Sequence, residues 1–600
     1  MPQARPDDIL RSTFGFPEFR PGQSDIVDLI LTGRPTLCVM PTGAGKSICY
    51  QLPALMLDGM TIVISPLTAL MDDQVAALQA NGVAAAAIHS GRDRAANVDS
   101  WRQAQAGDLQ LLYLSPERLM TARMLAALEG LSPAMFVVDE AHCISKWGAS
   151  FRPEYEDLSQ LRARFPSARL AAFTATADEA TRRDIAGKLF GEAGEIVVHG
   201  FDRPNLTLSV AAKTSWKPQL LAFLEGRRTE SGIVYCLSRK STEEVAGLLR
   251  EEGFNALPYH AGLSPVTRRE NQERFMAEEA VVMVATIAFG MGIDKPDIRY
   301  VFHLHMPGSM EAYYQEIGRA GRDGQPAETM MLFGLADARM RRQFIDQDGE
   351  DGEHKRREHK RLDSLLAYCE ATRCRRVSLL AYFGESGGQA CGNCDLCLDP
   401  PVLIDGSLEA QKLFSAILRT GEMFGAAHLI DVLRGADTEK IRARGHDSLP
   451  THGVGADRPK PFWQGLIRQS VAAGLVEIDI QGFGALKLTN DGLAVLKGQQ
   501  TFEIREISTK PARSRRAPKS ATADAAMVDG DLLAALKAKR RELAAERNVP
   551  AYVVFSDATL IGMAQLRPTS LELMASVNGV GPKKLETFGQ TFLDVLGDHD

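Results

Sequence analysis

The residues best suited to chemistry stand in a few short runs. Pro41-Thr42-Gly43-Ala44-Gly45-Lys46-Ser47 follows an apolar segment and precedes a helical one. Glycines in that setting let backbone N–H groups close on phosphate, and the helix N-terminus favours the anion. Lys46 is expected at the β/γ-phosphates and Ser47 on Mg²⁺, with Thr42, Gly43 and Gly45 lining the cradle. The first glycine of the usual G-x4-G-K-S pattern is Met40 here. Asp139 and Glu140 come directly after the apolar run Met135–Val138. Asp139 is the natural second Mg²⁺ ligand, and Glu140 the natural base to orient an attacking water. His142 is expected to relay the nucleotide state. Gln315, Arg319 and Arg322 lie in Gln315-Glu316-Ile317-Gly318-Arg319-Ala320-Gly321-Arg322-Asp323. Arginines one helical turn apart share a face, and pointed at phosphate across a cleft they would act as arginine fingers.

The carboxylate pair runs on into a loop with Trp147, Phe151, Arg152 and Tyr155. Such side chains stack on bases at about 1–3 kcal/mol each without reading sequence. A small hydrophobic core under the loop is the plain alternative. Cys374, Cys391, Cys394 and Cys397 form a separate set, spaced C-x2-C-x2-C with one thiol upstream. Four thiolates suit a tetrahedral Zn²⁺ with no open position, which is a structural site. An iron–sulfur cluster is the competing occupant, although the run's next cysteine position is Pro401. The other cysteines are scattered through apolar segments and read as buried thiols.

These groups need elements to hold them. At 600 residues, 45% hydrophobic and 24% charged, the chain is expected to fold as several globular domains. No uninterrupted apolar run suggests a membrane span and no signal-peptide core opens the chain, so a cytoplasmic setting is expected. A net charge of −7 argues against a uniformly basic nucleic-acid coat but not against a local basic path. Up to about residue 335, short apolar strands alternate with helical segments. Strands are expected at Leu37–Met40, Thr61–Ser65, Leu109–Leu114, Met135–Val138, Leu170–Thr174, Gly232–Cys236, Val281–Ala285 and Tyr300–His303. The alternation predicts two parallel α/β domains, broken near Gly194–Leu208. A charged helical stretch leads into the cysteines. Helices and a hairpin around Gln481-Gly482-Phe483-Gly484 then suggest a winged helix. Residues 504–528 read as a flexible linker before a compact helical module at 529–600.

Taken in order, these motifs resemble superfamily 2 helicases, and specifically the RecQ family of DNA helicases, over nearly the whole chain. Phe14-Gly15-Phe16-Pro17-Glu18-Phe19-Arg20-Pro21-Gly22-Gln23 is similar to that family's adenine-recognition motif. The resemblance implies that Gln23 bonds the adenine edge, with Phe16 stacked on the ring and Arg20 nearby. Ser65-Pro66-Leu67, Thr174-Ala175-Thr176, Tyr259-His260-Ala261-Gly262 and Thr286 to Asp294 match further family elements. It implies an α/β fold: two RecA-like motor domains (1–196, 197–336), a zinc-binding subdomain (337–405), a winged helix (406–503) and an all-α HRDC-like domain after the linker. Trp147, Phe151 and Arg152 become sensors of single-stranded DNA, and Tyr552 a further contact to it. Arg434, Arg442, Arg444, His446 and Arg468 become candidates for gripping duplex, and Phe483 for a strand-separating wedge. The implied activity is ATP- and Mg²⁺-dependent 3′→5′ unwinding in repair and recombination. The expected partners are single-stranded and forked DNA, with single-strand-binding protein received by the winged helix of a monomer. A DNA-stimulated translocase or annealing scaffold without productive unwinding is the competing reading.

Overall fold

The computed structural model describes residues 5–599 except 42, 146–151, 178, 192–193, 291–292, 294, 348–351, 386–387, 480–484, 507–529, 548 and 550. Thr42, Trp147, Phe151 and Phe483 therefore lie outside the described residues.

The first sheet has seven parallel strands. From edge to edge they are Ala85–Ile88, Leu111–Leu114, Thr61–Ile64, Met135–Val138, Arg169–Thr174, Thr36–Val39 and Glu195–Val198. All but Glu195–Val198 and the first residue of Arg169–Thr174 are buried along their length, as expected of parallel strands covered on both faces. This order places the ends of the strands carrying Met40, Thr174 and Asp139 side by side. In open α/β sheets, ligands bind at those carboxyl ends.

The second sheet has six parallel strands: Asn255–Tyr259, Val281–Ala285, Ser231–Tyr235, Ile298–His303, Ala327–Phe333 and Leu206–Ala212. Glu195–Val198 pairs with Thr36–Val39, whereas Leu206–Ala212 pairs with Ala327–Phe333. The chain thus crosses between the sheets over His199 to Asn205. That crossing segment is tied down on both sides. Phe201 stacks on Phe383 at 4.4 Å, and Arg376 donates to Asp202 at 3.0 Å and to the Leu206 carbonyl at 2.6 Å.

Helices Gly352–Cys369 and Arg375–Tyr382 lead to the cysteine loop, which docks on the strand Leu206–Ala212. Asp395 accepts from the Val210 N–H at 3.0 Å and from buried Arg375 at 2.6 Å. Beyond it, helices between Ser407 and Ala472 pack with the antiparallel pair Val476–Asp479 and Ala485–Leu488 in a winged-helix arrangement. Helices from Gly530–Glu546 to Pro582–Gly597 form a separate core, with Leu532, Leu536, Phe555 and Phe592 fully buried. Among the described residues no helix is long and apolar enough to cross a membrane.

Candidate active site

The phosphate loop departs from the strict glycine pattern for a visible reason. Met40 continues its strand: its N–H donates to the Thr174 carbonyl at 3.0 Å, and its side chain is buried with its sulfur 3.9 Å from Cys49 Sγ. No left-handed backbone is required there. It is required at Gly43 (φ +81°) and Gly45 (φ +83°). A Cβ at Gly45 would lie 2.5 Å from the Gln23 amide, so glycine is required twice over. Gly45 also caps the helix Lys46–Met56, whose N-terminus faces the loop. Lys46 Nζ donates to the Met40 carbonyl at 3.4 Å.

The adenine motif is bonded to this loop. Gln23 Nε2 donates to the Ala44 and Gly45 carbonyls, each at 3.1 Å, and its Oε1 accepts from the Arg20 N–H at 2.9 Å. Arg20 Nη1 donates to the Gly43 carbonyl at 2.6 Å. Both donors of the Gln23 amide are thus spent on the phosphate loop, so reading adenine requires one of them to change partner. Phe16 packs at the edge of the first domain's core.

Asp139 is buried at the end of its strand, next to Glu140. Burial raises its carboxyl to about 7, the Glu140 charge adds to the rise, and Lys46 opposes it. A buried carboxylate with a half-buried one beside it, facing a phosphate loop, is an arrangement that Mg²⁺ stabilises, so Ser47 and Asp139 fit as its protein ligands. Glu140 adopts the left-handed region at φ 49°, a conformation costly for a non-glycine residue and concentrated at functional sites. From there a line of contacts leaves the site. His142 Nδ1 lies 3.3 Å from Glu140 Oε2 and 3.0 Å from Thr174 Oγ1. Burial lowers the His142 pKa, which favours the neutral ring. The Thr174 hydroxyl donates to the Thr176 carbonyl at 3.2 Å, so it accepts from the ring N–H. Gln315, from the second domain, donates to Thr176 Oγ1 at 2.7 Å. The carboxylate is therefore connected across the cleft through Thr174 and Thr176.

The arginines part company. The helix Met310–Ile317 ends before them, so Arg319 and Arg322 sit on a turn and do not share a helical face. Arg322 faces the phosphate loop, with its Cγ 3.4 Å from where a Cβ on Gly43 would lie. Arg319 turns into the second domain: its guanidinium would meet a Cβ on Gly290 at 2.9 Å, and it bonds to the buried Tyr235 hydroxyl.

One expected base contact changes meaning. Tyr155 is fully buried and its hydroxyl donates to the Asp139 carbonyl at 3.1 Å, so it supports the site from beneath and is not open to bases. Arg152 donates to the Pro66 carbonyl at 3.2 Å, which ties the start of the helix after the aromatic loop to the next strand's motif. In the winged helix, Arg468 pairs with buried Glu370 at 3.0 Å, and His446 is buried 2.7 Å from His428; both serve packing. Tyr552 packs in the cleft between the C-terminal helices and the second motor domain, beside Met276, Lys295 and Pro296. The same helices touch the adenine motif, where the Gly579 N–H donates to the Gly15 carbonyl at 3.0 Å.

The cysteines converge. The sulfurs of Cys374, Cys391, Cys394 and Cys397 lie within 4.8 Å of one another. The Cys391–Cys397 and Cys374–Cys394 pairs are both 3.9 Å apart. Tetrahedral Zn²⁺ at about 2.3 Å from each thiolate sets sulfurs roughly 3.8 Å apart, so the set matches a closed zinc site. N–H groups of Cys391, Asn393 and Arg375 point at three of the sulfurs at 3.3–3.4 Å and favour their thiolate form.

The chain is similar to known proteins along nearly its whole length. The chain matches family models for the DEAD/DEAH box helicase over residues 20–185 and the helicase conserved C-terminal domain over 215–324. It matches the RecQ zinc-binding model over 335–398, the RQC domain over 400–513 and the HRDC domain over 529–596. The ATP-dependent DNA helicase RecQ of Pasteurella multocida is 41% identical over 593 residues, covering 99% of this chain and 93% of the relative. That of Haemophilus influenzae is 42% identical over 592 residues (98% and 95%), and that of Bacillus subtilis 38% over 595 (99% and 98%).

Proposed function

The chain belongs to the RecQ family of ATP-dependent DNA helicases, and from that premise we propose how its residues divide the work. It is an ATP- and Mg²⁺-dependent DNA helicase with a structural zinc site; 3′→5′ movement and service in repair and recombination are typical of the family. In our reading, Lys46, Thr42, Gly43 and Gly45 hold the phosphates, while Gln23, Arg20 and Phe16 receive the adenine. Ser47 and Asp139 hold Mg²⁺, which neutralises charge developing on the transferred phosphoryl group. Glu140 orients the water, and Arg322 supplies transition-state charge from the second domain. Arg319 holds the turn that carries Arg322 against the domain's interior.

The observation that carries this reading is the line Glu140–His142–Thr174–Thr176–Gln315, which links the hydrolytic carboxylate to the second motor domain. It gives domain closure a way to be felt at the water-orienting group. Trp147, Phe151 and Arg152 feed DNA occupancy into the same line, because the aromatic loop starts just after its histidine. Tyr552 contacts single-stranded DNA only when the C-terminal helices leave the cleft. The division of the chain at 196, 336, 405, 503 and 528, reception of single-strand-binding protein by the winged helix, and action as a monomer belong to the same proposal.

Gln315→Ala tests it. Basal ATP hydrolysis and DNA binding are expected to persist, while stimulation by single-stranded DNA and fork unwinding are lost. Full stimulation in that variant would remove the line from the mechanism. Stimulation without strand separation in the unaltered protein would favour the translocase reading.

A further inference from the structure

Arg203 stands in the cleft with no part in the chemistry above. It belongs to the crossing segment, not to a nucleotide-binding motif. Its guanidinium donates to three carbonyls of one turn: Gly318 at 3.3 Å, Ala320 at 2.9 Å and Gly321 at 2.9 Å. That turn carries Arg319 and Arg322. The helix Met310–Ile317 ends just before it, so these three carbonyls lie outside the helical ladder and are open to a side-chain donor. A planar guanidinium with donors on several nitrogens can answer all three at once; an ammonium cannot hold that geometry. The same guanidinium faces the phosphate loop, 3.1 Å from where a Cβ on Gly43 would lie. Burial lowers its pKa to about 10, which leaves it charged at neutral pH.

Asn205, two residues on, holds the far end of the turn. Its side-chain N–H₂ donates to the Gly321 and Gln325 carbonyls, each at 2.9 Å. Its own carbonyl accepts from the Ala327 N–H at 3.0 Å. Behind both residues, the Tyr314 hydroxyl donates to the Phe201 carbonyl at 2.8 Å. The crossing segment is thus bonded to the arginine turn from both ends while lying against the phosphate loop.

We propose that Arg203 is a positioning residue for ATP hydrolysis: with Asn205 it splints the Gly318–Gly321 turn so that Arg322 is presented to the phosphate loop when the motor domains close. This rests on the assignment of Arg322 as the transition-state cation. It makes the connection between the sheets part of the catalytic apparatus. It also explains the form of Arg203-Pro204-Asn205, with donors on either side of a proline that fixes the backbone between them.

The test is steady-state ATP hydrolysis with saturating single-stranded DNA, in the full-length zinc-loaded protein. A displacement of about 1 Å at a reacting centre costs roughly 100-fold, so Arg203→Ala should lower kcat by about that factor. KM for ATP should stay within about threefold, because an interaction realised only in the transition state lowers kcat and leaves ground-state binding in place. Arg203→Lys should recover little. Residues acting as one unit are non-additive, so Arg203→Ala should cost less than about twofold further in an Arg322→Ala background. Asn205→Ala should show the same pattern at about tenfold, and carries the test if Arg203→Ala fails to fold or to retain zinc. Wild-type kcat in both single variants would overturn the proposal, as would full additivity with Arg322→Ala. A raised KM with unchanged kcat would overturn it too, by making Arg203 a nucleotide ligand. If Arg322→Ala alone keeps wild-type kcat, the assignment of Arg322 is what falls, and the proposal falls with it.

Discussion

The zinc cluster and the nucleotide cleft are both sites for a bound ion, yet they are built on opposite plans. The four thiols come from one short stretch, and their sulfurs already stand at the spacing a tetrahedral metal imposes. The cleft draws on residues from Phe16 to Arg322 and on both domains. Its functional groups are occupied by the protein itself: Lys46 by Met40, Gln23 by the phosphate loop, Arg20 by Gly43. A site preset for its ligand is a staple. A site whose groups are bonded elsewhere works by exchanging partners, which is what a cycle of binding and release requires. The contrast extends to surroundings. Around the zinc loop, Arg375, fully buried, is bound to Asp395 and to the Tyr368 carbonyl, an arrangement with nowhere to go.

The largest effect should come from breaking the staple. Structural zinc contributes about 10–16 kcal/mol in small metal-dependent domains. Cys394→Ser, or chelation under native conditions, should release the metal and unfold the 374–398 segment. It should also expose the edge strand Leu206–Ala212 to protease, since the cysteine loop covers it. Affinity for a nucleotide analogue should change by less than about threefold, because the groups assigned to adenine and to the ground-state phosphates belong to the first motor domain, away from the cysteines. Metal content, limited proteolysis and equilibrium binding read these directly. Unchanged melting after zinc removal would erase the contrast.

Lys46→Ala should give the reverse profile. Loss of a cation aimed at developing phosphoryl charge should lower kcat by about 10³-fold. Zinc content should not move and melting temperature should move little, because the bond from Lys46 to the Met40 carbonyl is long, at 3.4 Å. A variant that loses both activity and thermal stability would mean that the lysine also staples the loop.

Gln23→Ala is a milder probe of partner exchange. Its amide holds the phosphate loop now and is assigned to adenine when nucleotide is bound. The adenine bond is worth roughly 1 kcal/mol, so KM for ATP should rise about fivefold with little change in kcat. Discrimination against guanine nucleotides should fall together with affinity. A drop in kcat at constant KM would instead show that the two carbonyl bonds matter more than adenine does.

The sequence told these two sites apart unevenly. The cysteine quartet, the phosphate loop and the carboxylate pair are each local in sequence, so short patterns pointed to them, although the cysteine spacing left an iron–sulfur cluster open and the phosphate loop departs from the strict pattern at Met40. The cross-cleft line and the Arg203–Asn205 splint join residues more than a hundred positions apart, and no local pattern carries a contact of that kind. Strands failed for a related reason. Ala85–Ile88 is mostly alanine, Asn255–Tyr259 contains Pro258, and both were missed because their burial comes from neighbours, not from their own hydrophobicity. The arginine turn was legible in principle. Gly318 and Gly321 are helix-ending residues, and Gly321 takes φ +59°, so they stop the helix that would otherwise have aligned the two arginines.

The smallest expected effect concerns a contact that needs no ligand at all. In the winged helix, His428 Nε2 lies 2.7 Å from His446 Nδ1, with Phe424 stacked on the first ring at 4.1 Å. Burial, then the neighbouring His446 and Lys440 charges, holds His428 down at about 4, and burial, then the Arg444 charge, lowers His446. Both rings are therefore neutral in the folded protein at pH values where an unfolded histidine, near 6.5, begins to take up a proton. The unfolded state binds more protons below that point, so stability is complete above about 6.5 and falls as the pH drops toward 4. Urea melts at pH 7.0 and 5.5, with zinc content measured at each, should show a shallow loss on acidification. His428→Leu, which cannot be protonated, should flatten that slope without altering metal content. If the slope survives the substitution, the acid sensitivity does not come from His428, and the zinc content measured at each pH then shows whether loss of metal from the staple accounts for it.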